Sequence, residues 1–147
     1  MGSSSPLVTV GIVVLNRDWI IDKMLTSLQQ QTYPHDRIFV LLVDGESKDN
    51  TVATARQILE NSDFNGYEIV VKKCNIPEGR NICIEKMKGD FLFFWGSDII
   101  MGANALENIV ATGLDTKADI VSAELASFYM NTMEEANPKI AEAMSRK

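Results

Sequence analysis

Two blocks of nearly unbroken apolar, largely β-branched residues constrain this chain most. One runs from Val8 to Leu15, and the other from Ile38 to Val43, closing on Asp44. A strand with one solvated face alternates apolar and polar residues. A continuous block is instead the pattern of a strand buried on both faces, as in parallel sheets covered by helices on each side. Parallel neighbours need long crossovers, and the residues between the blocks change period to supply one. Ile21, Met24, Leu25 and Leu28 recur at helical spacing, and the pattern stops before Tyr33-Pro34, because the residue ahead of a proline is pushed out of helical conformation.

The alternation continues. Ser47 to Asn50 can cap a helix through Val52, Ala55, Ile58 and Leu59, and Asn65-Gly66 turns the chain into a strand over Tyr67–Lys72. Pro77 to Met87 reads as a short helix, Gly89-Asp90 as a turn, Phe91 to Trp95 as another buried strand, Ala103 to Gly113 as a helix and Asp119 to Ala123 as a last strand. The order β-α-β-α-β-α-β-α-β predicts an α/β fold: a doubly wound, mostly parallel sheet with helices on both faces. The 147 residues suit one domain. Residues 1–6 read as a disordered or tag segment, 7–127 as the α/β domain and 128–147 as a polar, helix-prone tail broken at Pro138.

Composition removes several function classes. A net charge of −6 sets the mean field against a polyanion, so nucleic acid is not an expected partner. No apolar run approaches the ~18–20 residues that cross a bilayer, and no Lys or Arg precedes Val8 as a secretory signal would require. Cys74 and Cys83 fit neither a zinc spacing nor a Cys-x-x-Cys pair and read as free thiols, which points to a reducing, cytoplasmic setting.

In an open α/β sheet, ligands bind outside the carboxyl ends of the strands, where the strand order reverses. That rule selects Leu15-Asn16-Arg17, Val43-Asp44 and Trp95-Gly96-Ser97-Asp98. The turn after the first strand has no glycine, so a dinucleotide fingerprint is missing. A Walker A loop is missing too, and Asn16-Arg17 stands where a receiver domain needs acids.

An ordered series of motifs resembles the family 2 glycosyltransferases of the GT-A fold, over about Val8 to Ala123. Val-Val-Leu-Asn-Arg at 13–17 stands where that family carries Pro-Thr-Tyr-Asn-Arg. Leu-Leu-Val-Asp at 41–44, with Ser47 and Asp49-Asn50-Thr51, stands where it carries an acidic strand end and a Gly-Ser-x-Asp-x-Thr loop. Gln31-Thr32-Tyr33-Pro34 matches its Gln-Thr-Tyr-Pro, and Gly79-Arg80-Asn81 its Ala-Arg-Asn. Gly96-Ser97-Asp98 departs from its Asp-x-Asp, keeping only the second carboxylate.

The resemblance implies a nucleotide-diphosphate sugar donor, with Asp44 at the base and Asn16, Arg17, Arg80 and Ser97 lining the same crevice. Asp98 would bind Mg²⁺ or Mn²⁺, which would bridge the two phosphates. With one carboxylate, the metal would lean on phosphate oxygens and water. The acceptor, whether sugar, lipid or protein, is open, and so is assembly into a homo-oligomer. An inverting transfer also needs a carboxylate base, and Glu124, Glu134 and Glu135 stand in no recognisable motif. The chain therefore reads as the donor-binding part of a glycosyltransferase, with a non-catalytic nucleotide-sugar-binding or interaction module as the alternative. Plainer structural roles compete at each residue: Asp44 and Asp98 as caps, Arg17 and Arg80 as surface charges, and His35 as an exposed turn residue.

Overall fold

The structure, a computed structural model, describes residues 5–123 together with Pro138 and Glu142. Within residues 5–123, four strands and four α-helices alternate: β1 (Val8–Val14), α1 (Ile21–Gln29), β2 (Ile38–Asp44), α2 (Thr51–Glu60), β3 (Gly66–Val71), α3 (Ile76–Lys86), β4 (Phe91–Phe94) and α4 (Ala105–Thr116). The sheet has the order β3-β2-β1-β4 with every pairing parallel. The two apolar blocks are its centre, and every residue of β2 is buried.

Residue parity along the central strands separates two cores. Val8, Val10, Ile12 and Val14 of β1 join Ile38, Val40 and Leu42 of β2 beneath α1, α2 and α4, through Met24, Leu25, Ala55, Leu59, Leu106 and Val110. Phe39, Leu41 and Val43 turn the other way and meet Cys83 of α3. Helices therefore cover both faces, and the doubly wound expectation holds. Chain order explains the arrangement. From β1 the chain steps outward to β2 and β3, and α3 then crosses back to put β4 on the other side of β1, which a right-handed crossover achieves only over the opposite face.

The crossing is close because small residues are placed against large ones. A Cβ at Gly79 of α3 would lie 2.6 Å from Cγ1 of Val13, and one at Gly11 of β1 would lie 3.1 Å from Sγ of Cys83. Gly89 turns the chain into β4 at φ +84°, where a Cβ would strike the Leu7 carbonyl.

Two expectations need correction. Asp119–Ala123 is not a strand and pairs with none of the described strands; a short apolar run has no period of its own, and here it lies along α4, with Val121 against Gly113. Among the described strands β4 is at the edge of the sheet, half-buried and four residues long, and does not show the full burial of the central strands. Within Ser47–Asn50, where a cap for α2 was expected, Asp49 supplies it: its carboxylate accepts from the Thr51 amide and hydroxyl, and the N-cap residue Asn50 makes no side-chain cap. The tail 128–147, apart from Pro138 and Glu142, and the acids Glu124, Glu134 and Glu135 lie outside the described residues. Among the described residues no helix is long and apolar enough to cross a membrane.

Candidate donor-binding site

Strand order reverses at β1, which has β2 on one side and β4 on the other. The carboxyl ends of these three strands therefore carry the loops that can form a binding crevice. The first two loops are bolted together. Asn16 takes a left-handed conformation, φ 50°, a geometry that asparagine tolerates better than most residues. This turns its amide toward the Ser47 hydroxyl at 2.8 Å and its side-chain oxygen toward the Lys48 amide at 2.8 Å. The Ser47 hydroxyl in turn donates to Oδ1 of Asp44, whose Oδ2 accepts from the Ser47 amide at 2.8 Å. Beside this relay, the Arg17 amide donates to the Thr51 hydroxyl at 2.7 Å, and the Asp18 amide to Asp49 at 3.3 Å. Partial desolvation pushes the Asp49 carboxyl up, but the bonds from Thr51 and Asp18 hold it below the ordinary carboxylate range.

The structure thus brings Asn16, Arg17 and Asp44 together and adds Ser47, Asp49 and Thr51 as their organisers. Asp44 is 0% exposed, with both oxygens turned to Ser47. It acts on its surroundings through the Ser47 loop, not as an open carboxylate facing solvent. The Arg17 guanidinium donates from Nη1 to the carbonyls of Leu15 and Asn16 at 3.0 and 3.3 Å, while its Nε is buried with no partner. Arg17 is therefore folded over the end of β1 with donor capacity left unused.

Arg80 approaches from α3. That helix starts at this edge of the sheet, its first turn fixed by a reciprocal capping box between Asn75 and Glu78. The exposed Arg80 guanidinium lies 5.4 Å from the ring centre of Phe94, the last residue of β4. Phe94 was not anticipated as a site residue, since in sequence it was one aromatic among several in an apolar run.

Ser97 and Asp98 follow β4 directly. Asp98 is exposed and has no hydrogen-bond or ion-pair partner among the described residues, which excludes a cap. None of the described contacts ties Ser97 or Asp98 to Asn16 or Asp44, so they share the crevice by strand placement alone. A Cβ at Gly96 would lie 3.6 Å from Oδ1 of Asp98, the spacing at which a second carboxylate would stand beside it. The described residues hold no cluster of three acids, histidines or cysteines able to bind a metal without help. A lone, unpartnered, solvent-facing carboxylate does fit a hard cation whose remaining ligands are phosphate oxygens and water.

His35 differs from the exposed turn residue expected. Its Nδ1 stands 2.5 Å from Asp63 and its Nε2 3.1 Å from the Gln31 carbonyl, far from the crevice. An apolar cavity of about 440 Å³ runs between β4, α4 and residues 118–123 and reaches Gly96, with Phe93, Trp95, Ile109 and Val121 among its walls.

The glycosyl transferase family 2 profile matches residues 9–146, nearly the whole chain. The chain belongs to glycosyl transferase family 2. It is 33% identical, over 89% of its own length, to the glycosyltransferase AglE of Haloferax volcanii. It is 26% identical over 90% of its length to the poly(ribitol-phosphate) beta-glucosyltransferase of Bacillus spizizenii. It spans 43% and 22% of the lengths of those two relatives. Solved structures agree on the GT-A fold. S. aureus TarS in complex with UDP superimposes with a TM-score of 0.68 at 22% identity, over 76% of this chain and 33% of that one. The mannosyltransferase PcManGT of Pyrobaculum calidifontis, in complex with GDP-Man and Mn²⁺, does so with a TM-score of 0.67 at 23% identity, over 80% of this chain and 34% of that one.

Proposed function

We propose that this family 2 chain is the nucleotide-sugar-binding part of a glycosyltransferase, holding its donor in the crevice outside β2, β1 and β4. The observation that carries the reading is the reversal of strand order at β1, with the interlocked Asn16, Arg17 and Asp44 loops on one side and Asp98 on the other. A nucleoside diphosphate and a donor of this class accompany the related folds: UDP with TarS and GDP-Man with Mn²⁺ in PcManGT.

In this reading the Ser47 loop, braced from below by Asp44, presents backbone and hydroxyl groups to the base. Arg17, with an unused donor, and Arg80, held over Phe94, supply positive charge toward the diphosphate in a protein whose net charge is −6. Ser97 and Asp98 close the other side. Asp98 would hold Mg²⁺ or Mn²⁺, which when bound neutralises charge on the departing diphosphate. The acceptor hydroxyl oxygen attacks the anomeric carbon, the bond from that carbon to the phosphate oxygen breaks with its electron pair leaving on the nucleoside diphosphate, and the configuration inverts. The attacking hydroxyl must give its proton to a carboxylate base. The acceptor chemistry, a cytoplasmic setting and any homo-oligomer belong to the same proposal.

Gly96 favours a second reading, in which the chain binds a nucleotide sugar without turning it over. A thermal-shift screen of UDP-, GDP- and dTDP-sugars with Mn²⁺ or a chelator tests donor binding, since a ligand of the native state raises its apparent stability. At least one nucleotide is expected to raise Tm, and more so with Mn²⁺. No shift with any of them overturns the proposal.

A further inference from the structure

We propose that Gln31 is a positioning residue for the donor site, fixing from the far end of α1 the segment that carries Asp98. The assignment rests on the donor-binding reading of Asp98 and names a residue that reading does not use.

Gln31 follows α1 and is 4% exposed, a rare setting for a side chain with two donors and an acceptor oxygen. Its amide is committed at both ends. Nε2 donates to the Gly102 carbonyl at 2.8 Å and to the Ser27 carbonyl at 3.1 Å, and Oε1 accepts from the Leu106 amide at 2.9 Å. The last bond is a helix cap made from a distance: α4 begins at Ala105, and its own N-cap residue Asn104 makes no side-chain cap. Gln31 thus satisfies an orphan amide of the first turn of α4. Thr32 repeats the connection, its amide donating to the Ala103 carbonyl at 2.7 Å and its hydroxyl to Glu107 at 2.6 Å. His35 steadies Gln31 from behind through the Gln31 carbonyl.

The segment held in this way starts where β4 stops. β4 pairs with β1 only as far as Phe94, and its other edge has no partner among the described strands, so the sheet fixes nothing beyond Trp95. From there the Trp95 indole Nε1 donates to the Ile99 carbonyl at 2.8 Å, and the Ile99 amide to the Gly96 carbonyl at 3.1 Å. The near anchor is Trp95; on the far side the Met101 amide makes a long contact of 3.5 Å to the Ser27 hydroxyl, and Gln31 with Thr32 holds residues 102–107. Asp98 lies between them with no bond of its own among the described residues, and its location is inherited from these anchors, of which Gln31 makes the most bonds. A site with a single protein carboxylate has no second ligand to correct a displaced first one, so the anchor matters more here than where two carboxylates share the cation.

The test uses Gln31→Met, which keeps the length and removes all three bonds, and Gln31→Glu, which keeps only the acceptor for Leu106. The first readout is amide hydrogen exchange in the ligand-free protein. Exchange at residues 99–106 should rise by about tenfold in Gln31→Met, with residues 10–14 and 40–43 unchanged. The second is calorimetric affinity for UDP and GDP, each with Mn²⁺ and with a chelator. The gain from Mn²⁺ should fall by about fivefold or more, while affinity in chelator stays at the wild-type value. Gln31→Glu should move both readouts in the same direction by less, and it carries the test alone if Gln31→Met does not fold. Unchanged exchange at 99–106, faster exchange throughout, or an equal loss of affinity in Mn²⁺ and chelator overturns the proposal. A wild-type protein that binds neither nucleotide overturns the donor-binding reading instead, and exchange alone then decides whether Gln31 fixes the segment.

Discussion

Asp44 and Asp98 are the same residue type at strand ends on either side of β1, and burial makes them different chemical groups. Asp44, fully buried against the Ser47 amide and hydroxyl, organises a loop; Asp98 is exposed and has no partner among the described residues. Asp44→Ala leaves two Ser47 donors unsatisfied and is expected to cost about 1–3 kcal/mol of stability. It should also weaken nucleotide binding more than Asp49→Ala does; equal affinities for the two variants in calorimetry would contradict the role given to Asp44. Gly96→Asp tests the other side. Its Cβ would lie 2.6 Å from Cδ1 of Ile99, the mobile end of a side chain that must turn aside, and the new carboxylate would stand beside Asp98. It should tighten nucleotide binding in Mn²⁺. Weaker binding both in Mn²⁺ and in chelator would favour a metal-free module, where like charges face the diphosphate. Far from the crevice, the hydrogen bond from His35 holds the Asp63 carboxyl below the ordinary carboxylate range. A carboxyl depressed on folding contributes stability above its unfolded pKa of about 3.9, and that contribution is lost as pH falls through its folded value. Asp63→Asn should therefore lower Tm at pH 5.5 and converge with wild type as pH falls below the ordinary carboxylate range; a constant difference would show that the bond contributes through geometry, not charge. The strand-end positions of these acids were legible in the sequence. Their exposures were not, because burial here depends on a hydrogen bond from Ser47 and on the course of a loop after an edge strand, neither of which has a period.

At the scale of elements, the α3 crossing is held by reciprocal fits, Gly79 on Val13 and Cys83 on Gly11. In an exposed helix Gly→Ala gains up to about 1 kcal/mol. At Gly79 the added methyl should instead cost about 1–3 kcal/mol by overpacking, seen as a lower urea midpoint, and Val13→Ala in the same chain should restore much of it. A midpoint at or above wild type for Gly79→Ala alone would mean that α3 can move off the sheet freely. The same burial, with Cys74 nearby, pushes the Cys83 thiol up to about 11, so Cys83 should resist thiol reagents until the protein unfolds. The two central strands and all four helices were readable because their apolar patterns persist over whole elements. The two misread segments, β4 as doubly buried and 119–123 as a strand, are short apolar runs whose environment is set by what lies beside them. The motif Gln31-Thr32-Tyr33-Pro34 was legible as a motif but not as a clamp on α4, since its partners stand some seventy residues away.

At the scale of the whole molecule, a parallel sheet whose order reverses at β1 places three loops over one crevice in a chain of glycosyl transferase family 2. The sequence patterns were sufficient for the sheet, the helices on both faces and the family, because these depend on many residues acting together. The donor's base, sugar and acceptor depend on a few contacts that neither apolar period nor strand order encodes. The central claim is that this crevice binds a nucleoside diphosphate through a cation held at Asp98. Isothermal titration of UDP and of GDP into wild type and Asp98→Asn, each with Mn²⁺ and with a chelator, tests it most directly. One of the two nucleotides is predicted to bind wild type more tightly with Mn²⁺, and that gain should vanish in Asp98→Asn. The same affinity in Mn²⁺ and in chelator, unchanged by the substitution, would contradict it.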